Sequence, residues 1–360
     1  MIRTALLMSL LMFAGCRHAP SSTIEPLNSV AAEIDALLTD ASADGSGFAV
    51  AIEVDDELIL RKGYGLANRE SGTPFTPQTI AQVGSLSKQF TATAILMLAD
   101  QGALDLDAPL ATYVTGIPGQ ARQATLRQLL IHASGLPEYC GRDFQRRSRD
   151  DFVATCLSAP LLFKPGERSE YSNVGYSALA LVIENVSGYD LDSFLKTHML
   201  RPNGLSHTGY DFPEVDRGLL AHGYRDDEPQ GVISDRISSM EGEWWNLKGN
   251  GGMQASVDDM YAWYAALNTD SAVPAGVRAQ LISPQTPWVD GRGTGFGWFF
   301  RDEGTGRVQR MNHAGSDGVF YSTYWHRPED SLFVYLVGNS GESSSQSVAL
   351  KIFTILRPPA

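Results

Sequence analysis

Two hydrophobic periods alternate along the chain and divide it into three parts. Near the N-terminus, Val30 to Leu38 repeats apolar residues at helical spacing and predicts a short amphipathic helix. Gly47 to Leu66 then changes to a period of two. Val50, Ile52 and Val54 form one face, Asp55-Asp56 makes a turn, and Leu58 to Leu60 starts the return strand. A Gly/Pro-rich connection, Gly72 to Pro77, leads to Gly84 and a predicted helix over Ser85 to Gln101. Phe90, Ala92, Ala94, Ile95, Leu96, Met97 and Leu98 make that helix apolar nearly all round, so it should be buried on most faces. Gly102 ends it.

The middle of the chain is mostly helical. Ser177 to Val186 and Val257 to Leu267 are the clearest helices, the second with Ser256 as its N-cap, and Leu191 to Leu200 is a further one. Tyr224 to Asn246 is polar, acidic around Asp226 to Glu228, and reads as a long loop. Its end carries Trp244-Trp245, which either rim a pocket or pack in the core. Strand patterns return at Phe296 to Arg301, Arg307 to Asn312, Val319 to Trp325 and Ser331 to Val337, and a last helix spans Ser344 to Leu356. Strands at both ends with helices between them imply one α+β domain, about 29–357. Its sheet lobe comes from about 29–100 and 288–357, and a mostly helical lobe of about 101–287 is inserted.

Net charge changes the picture by exclusion. At −13, the chain repels phosphate backbones and anionic lipid surfaces, so nucleic acid is not expected as a partner. The one dense basic run, Arg142 to Arg149, is diluted by Asp143, Asp150 and Asp151 and reads as a solvated face. The first 15 residues read as an export signal. Arg3 precedes an apolar stretch, Ala5 to Ala14, too short to span a bilayer, and Phe13-Ala14-Gly15-Cys16 ends it. Small residues before a cysteine are similar to a bacterial lipobox, with Cys16 the acylated residue; ordinary signal cleavage nearby is the alternative. Residues 16–28 then form a tether, the protein is exported to the periplasm, and the membrane is reached by a lipid anchor only. In that oxidising compartment Cys140 and Cys156 could pair, though spacing alone does not show that they meet. No metal-ligand spacing occurs, and no cofactor is expected.

Candidate chemistry begins at Ser85-Leu86-Ser87-Lys88. Three residues apart on a helix places Lys88 on the face of Ser85, and burial favours the neutral amine that can take a hydroxyl proton. The helix start also offers backbone N–H groups to an oxyanion. A chain this long should hold about one or two Ser-x-x-Lys matches by chance. Ser193-Phe194-Leu195-Lys196 is a second, but it lies inside a helix. Tyr171-Ser172-Asn173 supplies a hydroxyl able to relay a proton and an amide able to orient a substrate carbonyl. His313-Ala314-Gly315 lies on the strand entering the C-terminal hairpin. Gly315 permits close backbone approach, and the N–H of Ser316 would be the second oxyanion donor. A competing His207-Thr208-Gly209 falls in a turn-rich segment.

In this order, Ser85-x-x-Lys88, Tyr171-x-Asn173 and His313-x-Gly315 resemble the motifs of the penicillin-recognising serine hydrolases. That family includes class C β-lactamases, DD-carboxypeptidases, D-aminopeptidases and related esterases. The linking stretches Leu129 to Pro137, Lys164 to Tyr176 and Gly249 to Met253 are similar too. The resemblance, from roughly Val30 to Leu356, implies an antiparallel sheet with flanking helices beside a helical lobe, the site lying between them. It implies catalysis by Ser85, Lys88 and Tyr171, with either of the last two as base. Asn173, His313, Gly315 and Ser316 would bind substrate or oxyanion. The substrate would be a small molecule or short peptide, peptidoglycan-derived or a β-lactam, cleaved at an amide or ester. A non-catalytic penicillin- or peptidoglycan-binding protein on the same fold is the alternative. Class C β-lactamases carry Lys-Thr-Gly at the third motif. His313-Ala314-Gly315 lacks that ammonium and hydroxyl, which weakens the grip on a β-lactam carboxylate.

Overall fold

The computed structural model describes residues 24–211, 215–238, 242–269, 271–302 and 304–356. The export signal, Cys16 and most of the tether lie outside them. Within the described residues no helix is long and apolar enough to cross a membrane.

Helix α1 (Ile24–Ala41) leads into strands β1 (Phe48–Val54) and β2 (Glu57–Tyr64). Their hairpin turns on Asp55 and Asp56, both left-handed at φ 52° and 64°, a conformation Asp tolerates better than most residues. After β3 (Ala81–Gln82) comes helix α2 (Ser87–Asp100). The middle region contributes α3 (Asn173–Ser187), β4 (Thr208–Gly209), β5 (Gly223–Arg225), β6 (Glu228–Gly231), α4 (Ile233–Ser238), β7 (Gln254–Ala255) and α5 (Val257–Asn268). The C-terminal part supplies β8 (Arg292–Thr294), β9 (Phe299–Arg301), β10 (Arg310–Ser316), β11 (Tyr321–Arg327), β12 (Leu332–Gly338) and α6 (Glu342–Ile355).

Seven strands form one antiparallel sheet in the order β8-β9-β10-β11-β12-β1-β2, with Ile52 opposite Val334 where the chain ends meet. Both faces of its centre are covered, so β1 and β12 read as nearly unbroken apolar runs. Phe48, Val50 and Ile52 pack with α1 and α6, while Ala49 and Ala51 face the large core shared with the helical lobe. Small residues on that face leave room for α5, which packs against β1 and β12. Every residue of α2 from Ser87 to Leu98 is buried, as its all-round apolar pattern predicts, and full burial of Phe90, Ile95, Leu96 and Leu98 stabilises by about 2 kcal/mol each.

The structure departs from the sequence reading in several places. Tyr224 to Asn246 is not a plain loop: it contains the end of a hairpin and helix α4. Asp226 and Asp227 turn that hairpin at φ 51° and 64°, as Asp55-Asp56 do. Trp244 and Trp245 are core residues, their rings tilted against those of Tyr210 and Phe152. Arg147, read as solvated, is buried. It donates to Asn246, Asp151 and the Cys140 carbonyl at 2.8, 2.6 and 3.1 Å, pinning two loops together. Edge strand β8 was not legible, since Arg-Gly-Thr has no apolar period.

Cys140 and Cys156 form a disulfide. Closing that loop should contribute about 3 kcal/mol through the unfolded chain. The Cys140→Ser/Cys156→Ser double variant is therefore expected to melt roughly 5 °C lower in a calorimetric scan. An unchanged midpoint would show that Arg147 and the core hold the loop without it.

Candidate active site

Gly84–Leu86 forms a 3₁₀ turn, and the α-helix begins only at Ser87. This corrects the predicted start at Ser85. Gly84 is left-handed at φ 52°, and the Ser87 hydroxyl donates to the Gly84 carbonyl at 2.7 Å. Ser85 thus stands on a tight turn ahead of the helix, partly exposed, while Lys88 in the first helical turn is fully buried.

Three oxygens surround the Lys88 amine. Nζ lies 2.7 Å from Asn173 Oδ1, 2.7 Å from the Asn250 carbonyl and 3.2 Å from Ser85 Oγ. Burial holds the amine well below its usual pKa, an effect partly opposed by the negative potential of Asp143 and Glu138. Tyr171 places its ring 4.8 Å from Nζ, and the Ser85 side chain acts on its hydroxyl in favour of the ionised form. Burial raises the pKa of that phenol, so it stays protonated. Ser172 caps α3 by accepting the Gly175 N–H, which fixes Asn173 at the first helical position.

The third motif arrives from β10. A β-carbon on Gly315 would lie 2.0 Å from the Val83 carbonyl oxygen and 2.7 Å from Ser85 N, and one on Gly84 would lie 2.7 Å from Ser316 N. Only glycine permits this approach, which sets the backbones of Ser85 and Ser316 side by side. The Ser322 hydroxyl ties the neighbouring strand to the Val83 carbonyl at 2.8 Å. His313 is buried and its Nδ1 lies 2.7 Å from the Ala314 carbonyl, so Nδ1 carries the proton. Burial, with the nearby Lys88 charge, lowers its pKa to about 3. At neutral pH its Nε2 is an acceptor, and among the described residues that atom has no hydrogen-bond partner.

Ser85, Lys88, Tyr171, Asn173, His313, Gly315 and Ser316 therefore converge. The competing motifs do not share their surroundings. Ser193 N–H donates to the capping Asp190, and Lys196 pairs with Asp192 at 2.6 Å. His207-Thr208-Gly209 runs into short strand β4 rather than a turn, and His207 N–H and the Thr208 hydroxyl both donate to Asp259.

Two contributors went unassigned in the sequence. His132, left-handed at φ 58°, packs its ring at a tilt 4.5 Å from the Tyr171 ring, and its Nδ1 accepts the Ser172 N–H at 3.1 Å. It lies within Leu129 to Pro137, but its role depends on a fold-back that spacing does not encode. The Asn250 carbonyl is a backbone atom, invisible to any reading of side-chain types. Only the glycines around it, with Gly249 and Gly252 at φ 81° and 76°, hint at a special turn.

The sequence profile described as Beta-lactamase matches residues 33–354. The chain belongs to the beta-lactamase family. Among curated relatives, it is 27% identical over 328 residues to penicillin-binding protein 4* of Bacillus subtilis, covering 85% of this chain and 71% of the relative. It is also 27% identical over 321 residues to a D-aminopeptidase of Brucella anthropi, covering 86% of this chain and 59% of that one. The chain thus spans about three-fifths of the D-aminopeptidase. A solved class C β-lactamase superposes with a TM-score of 0.78 at 20% identity, covering 96% of this chain and all of that one, which shows the shared beta-lactamase fold.

Proposed function

We propose that this beta-lactamase family member is an exported serine hydrolase that forms an acyl-enzyme at Ser85 and transfers the acyl group to water. The surroundings of Lys88 Nζ carry the reading. A neutral amine has two N–H bonds and one lone pair. The Asn173 and Asn250 oxygens accept the two N–H bonds, which leaves the lone pair for the Ser85 hydroxyl.

Ser85 Oγ attacks the substrate carbonyl as its proton passes to Lys88. The N–H groups of Ser85 and Ser316 receive the oxyanion. The proton then passes through the Tyr171 hydroxyl to the leaving atom as the scissile bond breaks, and Asn173 orients the acyl carbonyl. Water cleaves the ester and restores Ser85.

His313 decides among substrates. A neutral imidazole whose Nδ1 proton goes to the Ala314 carbonyl and whose Nε2 is buried offers no cation to a carboxylate beside the scissile bond. This favours esters and peptides, including those with D-residues, whose cleaved bond has no carboxylate beside it, over β-lactams. The disulfide supports an oxidising compartment, consistent with export and with lipidation at Cys16.

Incubation with a fluorescent penicillin and with an activated fluorophosphonate, followed by mass spectrometry, tests the proposal. The expected adduct is on Ser85 and absent from Ser85→Ala. Labelling elsewhere, or equal labelling of that variant, would sink it. Against p-nitrophenyl esters, D-alanyl peptides and nitrocefin, turnover should be slowest on nitrocefin.

A further inference from the structure

A cavity of about 1080 Å³ opens beside Tyr171. One wall carries His132, Tyr171 and the segment from Glu167 to Ser169; the other is one face of strands β8 to β10. Register places Arg292 opposite Arg301 and Arg301 opposite Arg310, so three arginines stand in one row across three adjacent strands. The next row on that face is Thr294, Phe299 and Asn312, and all six residues line the cavity.

Like charges placed directly opposite one another destabilise a sheet. This row exists in a chain of net charge −13. Arg168 adds a fourth guanidinium from the facing wall, against Glu167 and Asp290 as the lining carboxylates. Arg168 is shared between Glu167 and Glu170, each at 3.4 Å. Arg310 stacks on Trp325 and donates to Asn312. Asp302, next to Arg301 in the chain, turns its carboxylate into its own loop and accepts the N–H groups of Gly304, Thr305 and Gly306. Among the described residues, Arg292 and Arg301 have no carboxylate partner. Phe299 joins this row to the candidate active site, with ring centroids 6.1 Å from Tyr171, 6.2 Å from His132 and 5.1 Å from His313.

We propose that the arginine row binds a carboxylate on the substrate, remote from the bond that is cleaved. Arg310 lies three residues before His313 on β10, about 10 Å along the strand. A carboxylate held there is distinct from one attached beside the scissile carbonyl. Planar guanidinium groups in a row suit its two oxygens. The inference rests on Ser85 being the nucleophile.

Two series of activated esters test it, with the charged end in the acyl chain or in the alcohol. Each pairs a terminal carboxylate, about 10 Å from the ester carbon, with the carboxamide. In at least one series the wild type should prefer the carboxylate by about tenfold or more in kcat/KM. The Arg292→Gln/Arg301→Gln variant should lose that preference, yet keep its carboxamide rate and its labelling of Ser85 by a neutral fluorophosphonate. Salt at about 0.5 M should shrink the preference. Equal turnover of both partners by a wild type that labels at Ser85 overturns the groove assignment alone. A preference that survives in the double variant overturns it too. If Ser85 does not label in the wild type, the nucleophile reading fails and takes this inference with it.

Discussion

Lys88→Met should acylate at Ser85 roughly 10³-fold more slowly than the wild type while keeping its melting temperature within a few degrees. The rate falls because the thioether cannot take a proton from the Ser85 hydroxyl. Stability changes little because two effects oppose each other. Methionine removes the cost of burying an amine, but it leaves Asn173 Oδ1 and the Asn250 carbonyl without their donor. The pH profile supplies the sign. In the proposed mechanism the active form is the neutral amine, so wild-type acylation should decline as pH falls through a value far below that of free lysine. Folding stability should move in the same direction. A base whose folded pKa is depressed binds fewer protons than the unfolded chain between the two pKa values, so stability rises with pH across that window. Stopped-flow labelling with a fluorophosphonate, beside a circular-dichroism melt, measures both. Lys196→Met, in the second Ser-x-x-Lys, serves as the control and should label at the wild-type rate. Wild-type labelling by Lys88→Met would transfer the role of base to Tyr171.

Gly315→Ala is the second large effect expected. Its new β-carbon would meet the Val83 carbonyl oxygen at 2.0 Å, Ser85 N at 2.7 Å and the Gly84 carbonyl carbon at 3.0 Å. All three are backbone atoms, so no side chain can swing aside. Strand β10 must instead retreat from the Ser85 turn, which separates the two proposed oxyanion donors. Loss of one such donor costs about 10²–10³-fold in rate, and forced overpacking costs about 1–3 kcal/mol. Turnover of a p-nitrophenyl ester should fall at least about 100-fold, with a melting point several degrees lower. Ala314→Ser, one residue away on the exposed side of the same strand, should be neutral in both assays. Unimpaired turnover by Gly315→Ala would show that the strand and the turn need not touch.

How far the site was legible differs from residue to residue. Ser85, Lys88, Tyr171 and Asn173 could be read because their chemistry depends on side-chain type at short spacing. Helix α2 could be read because apolar residues on all its faces leave burial as the only stable outcome. The Asp226-Asp227 turn carried the signal already recognised at Asp55-Asp56, and the acidic composition around it obscured the hairpin. Arg147 misled for a related reason. A run of arginines and aspartates has the same composition whether solvent or a buried network receives it.

The sequence by itself determined the order of the three motifs, the two-ended sheet with a helical insertion and the grounds for proposing Ser85 over Ser193. Each follows from local periodicity or from residues a few positions apart. Tertiary structure alone decided that Lys88 shares its amine between a side chain 85 residues away and a backbone carbonyl 162 residues away. It also decided that His132 props Tyr171, that Cys140 and Cys156 meet, and that three arginines line up across separate strands. Strand register and chain reversal create those contacts. Register is set by the packing of whole faces, so no short window of sequence carries it.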